Sequence, residues 1–157
     1  MKPDKPQIVA TLRASLVEEL AALERVGATA AEEAVTEEAK SENEYDTRAT
    51  EASYLARGLA SRIAELRQVV AWFSSFDPNK PLPDATVQVG ALVELDGGEW
   101  LFFAPAGGGT VQAGGKKIKL VSRSSPLGSA LVGLEAGDAA EFDTPRGILE
   151  REIVGVW

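Results

Sequence analysis

The first half of the chain carries apolar residues at helical spacing in two stretches, which a polar and acidic segment separates. No proline occurs between Pro6 and Pro78, and the polar segment runs from Lys40 to Asp46. The two apolar stripes are Ile8, Leu12, Leu16, Leu20 and Leu23, and Leu55, Leu59, Ile63, Leu66, Val70 and Phe73. A spacing of three or four residues is typical of amphipathic helices. The pattern therefore predicts a helical hairpin whose turn lies in the polar segment.

The geometry of an antiparallel pair predicts where this hairpin turns. Pairing Leu20 with Ile63 and Leu16 with Leu66 places the turn near residues 40–44. At about 1.5 Å per residue, arms of roughly 33 residues would reach on the order of 50 Å. The plainer interpretation of such a pair is a coiled-coil spacer or a dimerisation arm. The functional alternative is a thin rod with an acidic end that enters a narrow opening.

The composition changes at a proline-rich joint that covers residues 78–83. Of 15 glycines only Gly27 and Gly58 precede this joint, and after it strand signals alternate with turn signals. Residues 125–132 favour a short helix, with a serine cap and Pro126 in its first turn. We therefore predict an α+β fold with a coiled-coil hairpin at 1–77 and a linker at 78–83. A small domain of about five strands and one short helix would follow at 84–157.

Charge and composition exclude several classes of function. The formal net charge of −8 argues against a protein whose main affinity comes from coating nucleic-acid phosphates. The chain has no cysteine and no histidine, which excludes disulfides, thiol chemistry, imidazole bases and the usual zinc sites. The start shows no apolar signal-peptide core and no run reaches membrane-spanning length, so we expect a soluble, cytosolic protein. The glycine clusters at 107–109 and 114–115 lack the flanking elements of a phosphate-binding loop.

The charges of the helical half are unevenly placed. From Glu32 to Glu51 there are eight acidic residues against Lys40 and Arg48, whereas the stretch that follows is mainly basic. An ordinary solvated helix surface is the commoner explanation of mixed charge. The functional explanation is that the acidic tip of the hairpin, at its turn, and the basic part of the second helix match a partner that holds metal and RNA.

Several short motifs, in the same order along the chain, resemble the GreA/GreB family of bacterial transcript cleavage factors. In the helical half, the segments similar to the family's hairpin are Ser41–Tyr45 and Arg57–Leu66. In the second half, the similar segments are Ser124–Gly133, Glu135–Asp138, Asp143–Gly147 and Ile153–Val156. Each motif alone is weak, and the resemblance rests on their collinear order over essentially the whole chain.

This resemblance implies an N-terminal coiled coil and an FKBP-like C-terminal domain that act on bacterial RNA polymerase. The C-terminal domain would bind the rim of the polymerase secondary channel, and the coiled coil would reach the active centre. There the tip acids would help to hold a catalytic Mg²⁺, a hard cation that prefers oxygen ligands. The polymerase itself would then cleave the backtracked transcript. The protein would thus be a cofactor of the polymerase and not an enzyme, and we expect it to be a monomer.

The resemblance also implies roles for individual residues. The catalytic tip acids would be Glu42, Glu44 and Asp46, of which Glu42 and Glu44 would hold the metal. The polymerase-binding residues would be Ser125, Pro126 and Leu127, unless Pro126 only starts a helix and Leu127 is core. The residues that contact phosphates at the 3′ end of the nascent RNA would be Arg48 and Arg57, unless both only belong to a solvated helix face.

The tip departs from the family pattern, and this leaves the function open. Matching the family's Glu to Glu42 puts Ala39 where the family has an Asp, whereas aligning by coil length offers Glu44 and Asp46 at the extremity. The protein could therefore stimulate cleavage with rearranged ligands, or enter the channel and tune or inhibit the polymerase without cleavage. Two further alternatives are an FKBP-like prolyl isomerase or chaperone, and a scaffold that dimerises through the coil.

Overall fold

Two long helices form the first half of the protein, for which a computed structural model describes residues 2–40 and 47–157. Helix α1 spans Lys5–Lys40 and helix α2 spans Arg48–Ser75. Asp4 caps α1, because its Oδ1 accepts a hydrogen bond from the backbone N–H of Gln7 at 3.1 Å. The prediction of two helices on either side of the polar segment is confirmed. Within the described ranges, neither these helices nor any other is long and apolar enough to cross a membrane.

The chain divides into two compact units. The helical unit is Ser15–Val70, and the sheet unit combines Met1–Ala14 with Ala71–Trp157. The first turns of α1 and the end of α2 therefore belong to the same unit as the sheet. The predicted linker at 78–83 falls inside the sheet unit, and the predicted domain limits stay a prediction.

In the helical unit the two helices run antiparallel. Near the polar segment, Glu37 of α1 lies 4.0 Å from Arg48 of α2, measured between Oε2 and Nε. Further from it, Gly27 of α1 packs closely on Ile63 of α2, since a Cβ on Gly27 would lie 2.7 Å from the Ile63 Cδ1. Later positions of α1 thus face earlier positions of α2, as the predicted pairing requires.

The predicted apolar stripe is buried at the end of the helical unit away from the polar segment, but not throughout. Leu16, Ile63 and Leu66 are buried, whereas Leu55 is 57% exposed. Leu55 is exposed because it lies about 100° around α2 from the half-buried Ala56, which takes the inward position. Leu55, although it belongs to the apolar stripe, therefore lies on the surface.

The sheet unit contains a mixed sheet of six strands and one short helix. The elements are β1 Leu92–Leu95, β2 Glu99–Phe103, β3 Thr110–Ala113, β4 Lys116–Val121, α3 Pro126–Leu131, β5 Ala139–Thr144 and β6 Gly147–Val156. The strand order is β3-β4-β2-β1-β6-β5, in which β2 and β4 are parallel and the other neighbours are antiparallel. The predicted α+β fold class is confirmed. Strand β3, which lies between two glycine clusters, is the one that the sequence pattern did not predict.

Alternating residues of β1 and β2 fill both faces of this sheet, because successive side chains of a strand point to opposite sides. Leu101 and Phe103 join the buried cluster that also includes residues of α3. Phe102 points to the other face, where its ring stacks on that of Phe73 from α2 with centroids 5.4 Å apart. Burial of a side chain of this size contributes about 1.5–3 kcal/mol to stability. The end of α2 is thereby fixed to the sheet.

Candidate functional site

The polar segment between α1 and α2 contains the predicted catalytic acids. Glu42, Glu44 and Asp46 lie outside the described residues, so their roles in catalysis and Mg²⁺ binding stay predictions. Beside this segment, Ala39 is exposed in the last turn of α1. Within residues 2–40 and 47–157, no three acidic side chains are grouped so that they could hold a metal ion.

Arg48, one of the two predicted RNA contacts, is exposed at the start of α2. It forms the ion pair with Glu37 of α1 at 4.0 Å. An exposed pair of this kind contributes about 0–1 kcal/mol. The structure thus places Arg48 next to the polar segment and in contact with an acid.

Arg57, the other predicted RNA contact, faces an aromatic ring. Its guanidinium carbon lies 5.9 Å from the ring centroid of Tyr54, which is 68% exposed. The later arginines of α2 pair instead with acids of α1, Arg62 with Glu19 at 3.2 Å and Arg67 with Glu24 at 3.0 Å. In the part of the chain that the structure describes, Arg57 makes no ion pair with a carboxylate. Its positive charge is therefore available to an anion.

Tyr54 is a surface residue that the apolar pattern did not single out. The signal in the sequence was its spacing of three residues from Arg57, which places both side chains on one face of a helix. A cation within about 6 Å of an aromatic ring is attracted to the ring face. The two side chains form an exposed aromatic and cationic surface on α2.

The predicted polymerase-binding residues lie at the start of α3. Ser125 caps this helix, because its Oγ accepts a hydrogen bond from the Gly128 N–H at 3.0 Å. The same hydroxyl donates to the backbone oxygen of Ser122 at 2.9 Å. Pro126 is exposed at the first helical position, where a missing N–H costs nothing. Ser125 is only half-buried. Both Ser125 and Pro126 are therefore accessible to a partner.

Leu127 lies in the core and not on the surface, which corrects its expected placement. It is 9% exposed and belongs to the cluster that contains Leu101 and Phe103 of β2. The next residue, Gly128, was also missed by sequence reasoning. A Cβ on Gly128 would overlap the backbone oxygen of Ser122. The close approach of α3 to the preceding turn therefore requires glycine at this position.

Two long antiparallel helices followed by a small mixed sheet define the class of this protein, a coiled-coil factor with a C-terminal α+β domain. Residues 110–157, which contain β3 to β6 and α3, match the family model described as "Transcription elongation factor, GreA/GreB, C-term". This segment is similar to the GreA/GreB family, and the resemblance seen in the sequence motifs is confirmed.

A curated relative points to the same family. The chain is 32% identical over 98 residues to "Transcription elongation factor GreA" from Verminephrobacter eiseniae (strain EF01-2). The match covers 60% of this chain, and the chain spans 60% of the length of that relative.

Among solved structures, the GreA factor homolog 1 (Gfh1) protein of Thermus thermophilus is similar at 19% identity, with a TM-score of 0.38. The match covers 92% of this chain and 94% of that one. The factor GreA/GreB from Nitrosomonas europaea is similar at 20% identity, with a TM-score of 0.33, over 68% of this chain and 91% of that one.

Proposed function

We propose that this protein is an RNA polymerase secondary-channel factor that stimulates cleavage of backtracked transcripts and so rescues arrested elongation complexes. The observation that carries the proposal is the family match of residues 110–157, which follow a pair of antiparallel helices. The name of the curated relative, a transcription elongation factor, supports the same conclusion. The protein would act in the cytoplasm as a monomeric cofactor of the polymerase, whose own active centre performs the cleavage.

The tip acids would hold Mg²⁺ jointly with the polymerase. Carboxylates are hard oxygen ligands of the kind that Mg²⁺ prefers, and Glu42 and Glu44 are the residues that we expect to bind it, with Asp46 beside them. When bound, a metal ion at this position would stabilise the attacking and leaving oxygens of the phosphoryl displacement. A single segment offers few fixed oxygens, so the isolated protein should bind Mg²⁺ weakly.

The arginines of α2 would contact the RNA 3′ end. Charge-assisted hydrogen bonds to phosphate are stronger than neutral ones. Arg57 would make them without giving up an ion pair, because its described neighbour is the ring of Tyr54. Arg48 would exchange its exposed pair with Glu37, which costs about 0–1 kcal/mol. This difference makes Arg57 the stronger candidate.

Docking to the channel rim would use the start of α3. Ser125 and Pro126 are accessible there, and the buried Leu127 would hold the helix against the sheet. We propose that the surface formed by Ser125 and Pro126 contacts the polymerase. Replacing Pro126 by Asp should weaken binding to the polymerase while the fold is kept, because the side chain lies outside the core.

A channel-binding regulator without cleavage activity is the second candidate. The observation that favours it is Ala39, an exposed residue at the position where one alignment expects the acid of the family. A factor of this kind would occupy the channel but would supply too few ligands for the metal. It would slow or tune the polymerase and would compete with true cleavage factors.

The aromatic residues of the sheet unit give no support to a prolyl isomerase. Phe102 and Phe103 are fully buried, and Trp100 is buried against Trp157 with ring centroids 5.5 Å apart. The rings of Phe102, Phe103 and Trp100 belong to the core, whereas the half-buried Trp157 also lines an open pocket together with Leu82. Their arrangement is that of a structural core.

The test of the proposal is a stalled, backtracked polymerase complex with labelled RNA, incubated with the protein and Mg²⁺. We expect faster appearance of the short 3′ cleavage product than with polymerase alone. Binding to the polymerase without faster cleavage, together with competition against a known cleavage factor, would establish the regulator instead. Absence of binding would contradict both.

A further inference from the structure

A pocket of about 560 Å³ lies in the sheet unit, where the start of α1, the segment after α2 and the end of β6 meet. Its lining residues come from 2–6, 78–85 and 156–157. A volume of this order suits a small organic molecule. Neither Ser125 nor Pro126 lines the pocket, so it is a different surface from the proposed polymerase contact.

Rigid apolar residues form much of the wall of this pocket. Four of them are prolines, whose rings fix the backbone and which have no N–H: Pro3, Pro6, Pro78 and Pro81. Leu82 and Trp157 add further apolar surface. The Trp157 ring is held by stacking on Trp100, with centroids 5.5 Å apart. A ligand would therefore meet walls that need little ordering, which favours binding.

Positive charge is concentrated in the pocket, although the chain as a whole has a formal net charge of −8. Three lysines line it: Lys2, Lys5 and Lys80. Among the described lining residues they face a single acid, Asp84. The Oδ1 of Asp84 already accepts hydrogen bonds from the Thr86 N–H at 3.0 Å and from the Gln88 Nε2 at 2.9 Å. This carboxylate is thus bound within its own loop and pairs with none of the lysines.

Lys5 is the buried cation of the group, with only 7% of its surface exposed. Its Nζ donates one hydrogen bond, to the backbone oxygen of Trp157 at 2.9 Å, whereas an ammonium group has three donors. In the described ranges no Asp or Glu side chain forms an ion pair with it. Burial lowers the pKa of Lys5 to about 8, because the charged form is poorly solvated there. An anion in the pocket would compensate this charge.

We propose that the pocket binds a small organic anion, a carboxylate or phosphate carried on an apolar ring, with the anionic group at Lys5 and the ring against the prolines. The competing occupant is an acidic side chain of a partner protein. The apolar walls favour the ring-bearing anion, because the short side chain of Asp or Glu would leave the prolines and Trp157 uncovered. The proposal does not depend on binding to the polymerase.

The experiment titrates the full-length protein with three probes and follows the indole N–H of Trp157 by nuclear magnetic resonance. A Trp157→Phe variant identifies this signal. Cinnamate carries both the charge and the ring, cinnamamide carries the ring alone, and acetate carries the charge alone. We expect cinnamate to bind with a dissociation constant on the order of 1–5 mM, as a probe of its size allows. Cinnamamide and acetate should each bind about tenfold more weakly, since each lacks one of the two contacts.

Three variants test the lysines. Lys5→Met keeps an apolar stem but removes the buried charge, and it should weaken cinnamate binding about tenfold. The double variant Lys2→Gln, Lys80→Gln removes the two exposed cations of the pocket, and it should weaken binding about threefold. The matched control is Lys117→Gln, Lys119→Gln, which removes the same charge from exposed positions of β4 outside the pocket and should bind like the parent.

Equal binding of cinnamate and cinnamamide would overturn the inference, since the lysines would then play no part. Acetate that binds as tightly as cinnamate would also overturn it and would favour an acidic side chain as the occupant. If Lys5→Met does not fold, the exposed double variant decides. An equal loss in this variant and in the β4 control would show that only the net charge of the protein acts, and it would overturn the inference as well.

Discussion

Arg13 of α1 caps the C-terminal end of α2 through the backbone of Phe73. Its Nε donates a hydrogen bond to the Phe73 carbonyl oxygen at 2.8 Å, and its Nη2 donates to the carbonyl oxygen of Phe76 at 3.2 Å. The last carbonyls of a helix have no partner within the helix. A cation at this end also interacts favourably with the helix dipole. One side chain thus joins the beginning of α1 to the end of α2 inside the sheet unit.

Replacement of Arg13 by methionine should therefore destabilise the protein. Met keeps much of the aliphatic stem but leaves the carbonyls of Phe73 and Phe76 without their charged donor. We expect the free energy of unfolding to fall by about 1.5–3 kcal/mol, the range for hydrogen bonds to charged groups. Urea unfolding followed by tryptophan fluorescence measures it. Arg25→Met, an exposed site on α1, is the control and should change the value by less than about 0.5 kcal/mol. Equal effects at both sites would contradict the capping role.

Gly128→Ala should destabilise the sheet unit even though alanine is the better helix former. In an ordinary helix this change would gain up to about 1 kcal/mol. At Gly128 the added Cβ would overlap the backbone oxygen of Ser122, and a backbone atom cannot move aside as a side-chain end can. We expect a loss of about 1–3 kcal/mol, as for other overpacked sites. Thermal unfolding measures this, with Ser129→Ala on the exposed side of α3 as control. A Gly128→Ala variant as stable as the parent would show that α3 does not pack so closely.

Two glycines of the long helices should respond differently to the same change. A Cβ on Gly58 meets nothing within 4 Å, so Gly58→Ala should stabilise the protein by about 0.5–1 kcal/mol. A Cβ on Gly27 would lie 2.7 Å from the Cδ1 of Ile63, which has to shift. Gly27→Ala should therefore gain less than Gly58→Ala, or lose stability. The order of the two melting temperatures is the measurement, and the reverse order would show that α1 and α2 do not approach closely at Gly27.

The helical half could be predicted because its periodicity is a local property. Leu16 and Leu66 keep the helical spacing of their stripes, and both are buried. Leu55 has the same apolar character but faces water, because close to the polar segment the small Ala56 takes the inward position. Strand β3 was not predicted. Its four residues lie between glycine clusters and form a strand only because they pair with β4.

The candidate site could be predicted only in part. The Ser-Ser-Pro sequence was enough to place the start of α3 and its cap. The burial of Leu127 was not predictable from local sequence, because it depends on strands that the fold brings beneath the helix. The contact between Tyr54 and Arg57 was also not predictable, because it depends on which arginines of α2 reach acids of α1. The later arginines reach acids of α1 across the hairpin, whereas Arg57 faces the tyrosine ring.

The acids of the polar segment carry the decisive prediction. We expect the double variant Glu42→Ala, Glu44→Ala to fold and to bind the polymerase like the parent, but to lose stimulation of transcript cleavage. Removal of like charges relieves a repulsion that salt already screens, so stability should change little. The measurement is the cleavage rate of backtracked RNA at saturating factor and Mg²⁺. Glu32→Ala, Glu33→Ala is the matched control, because it removes the same charge from exposed positions of α1. A double variant that cleaves like the parent, or a control that loses as much, would show that these acids are not metal ligands.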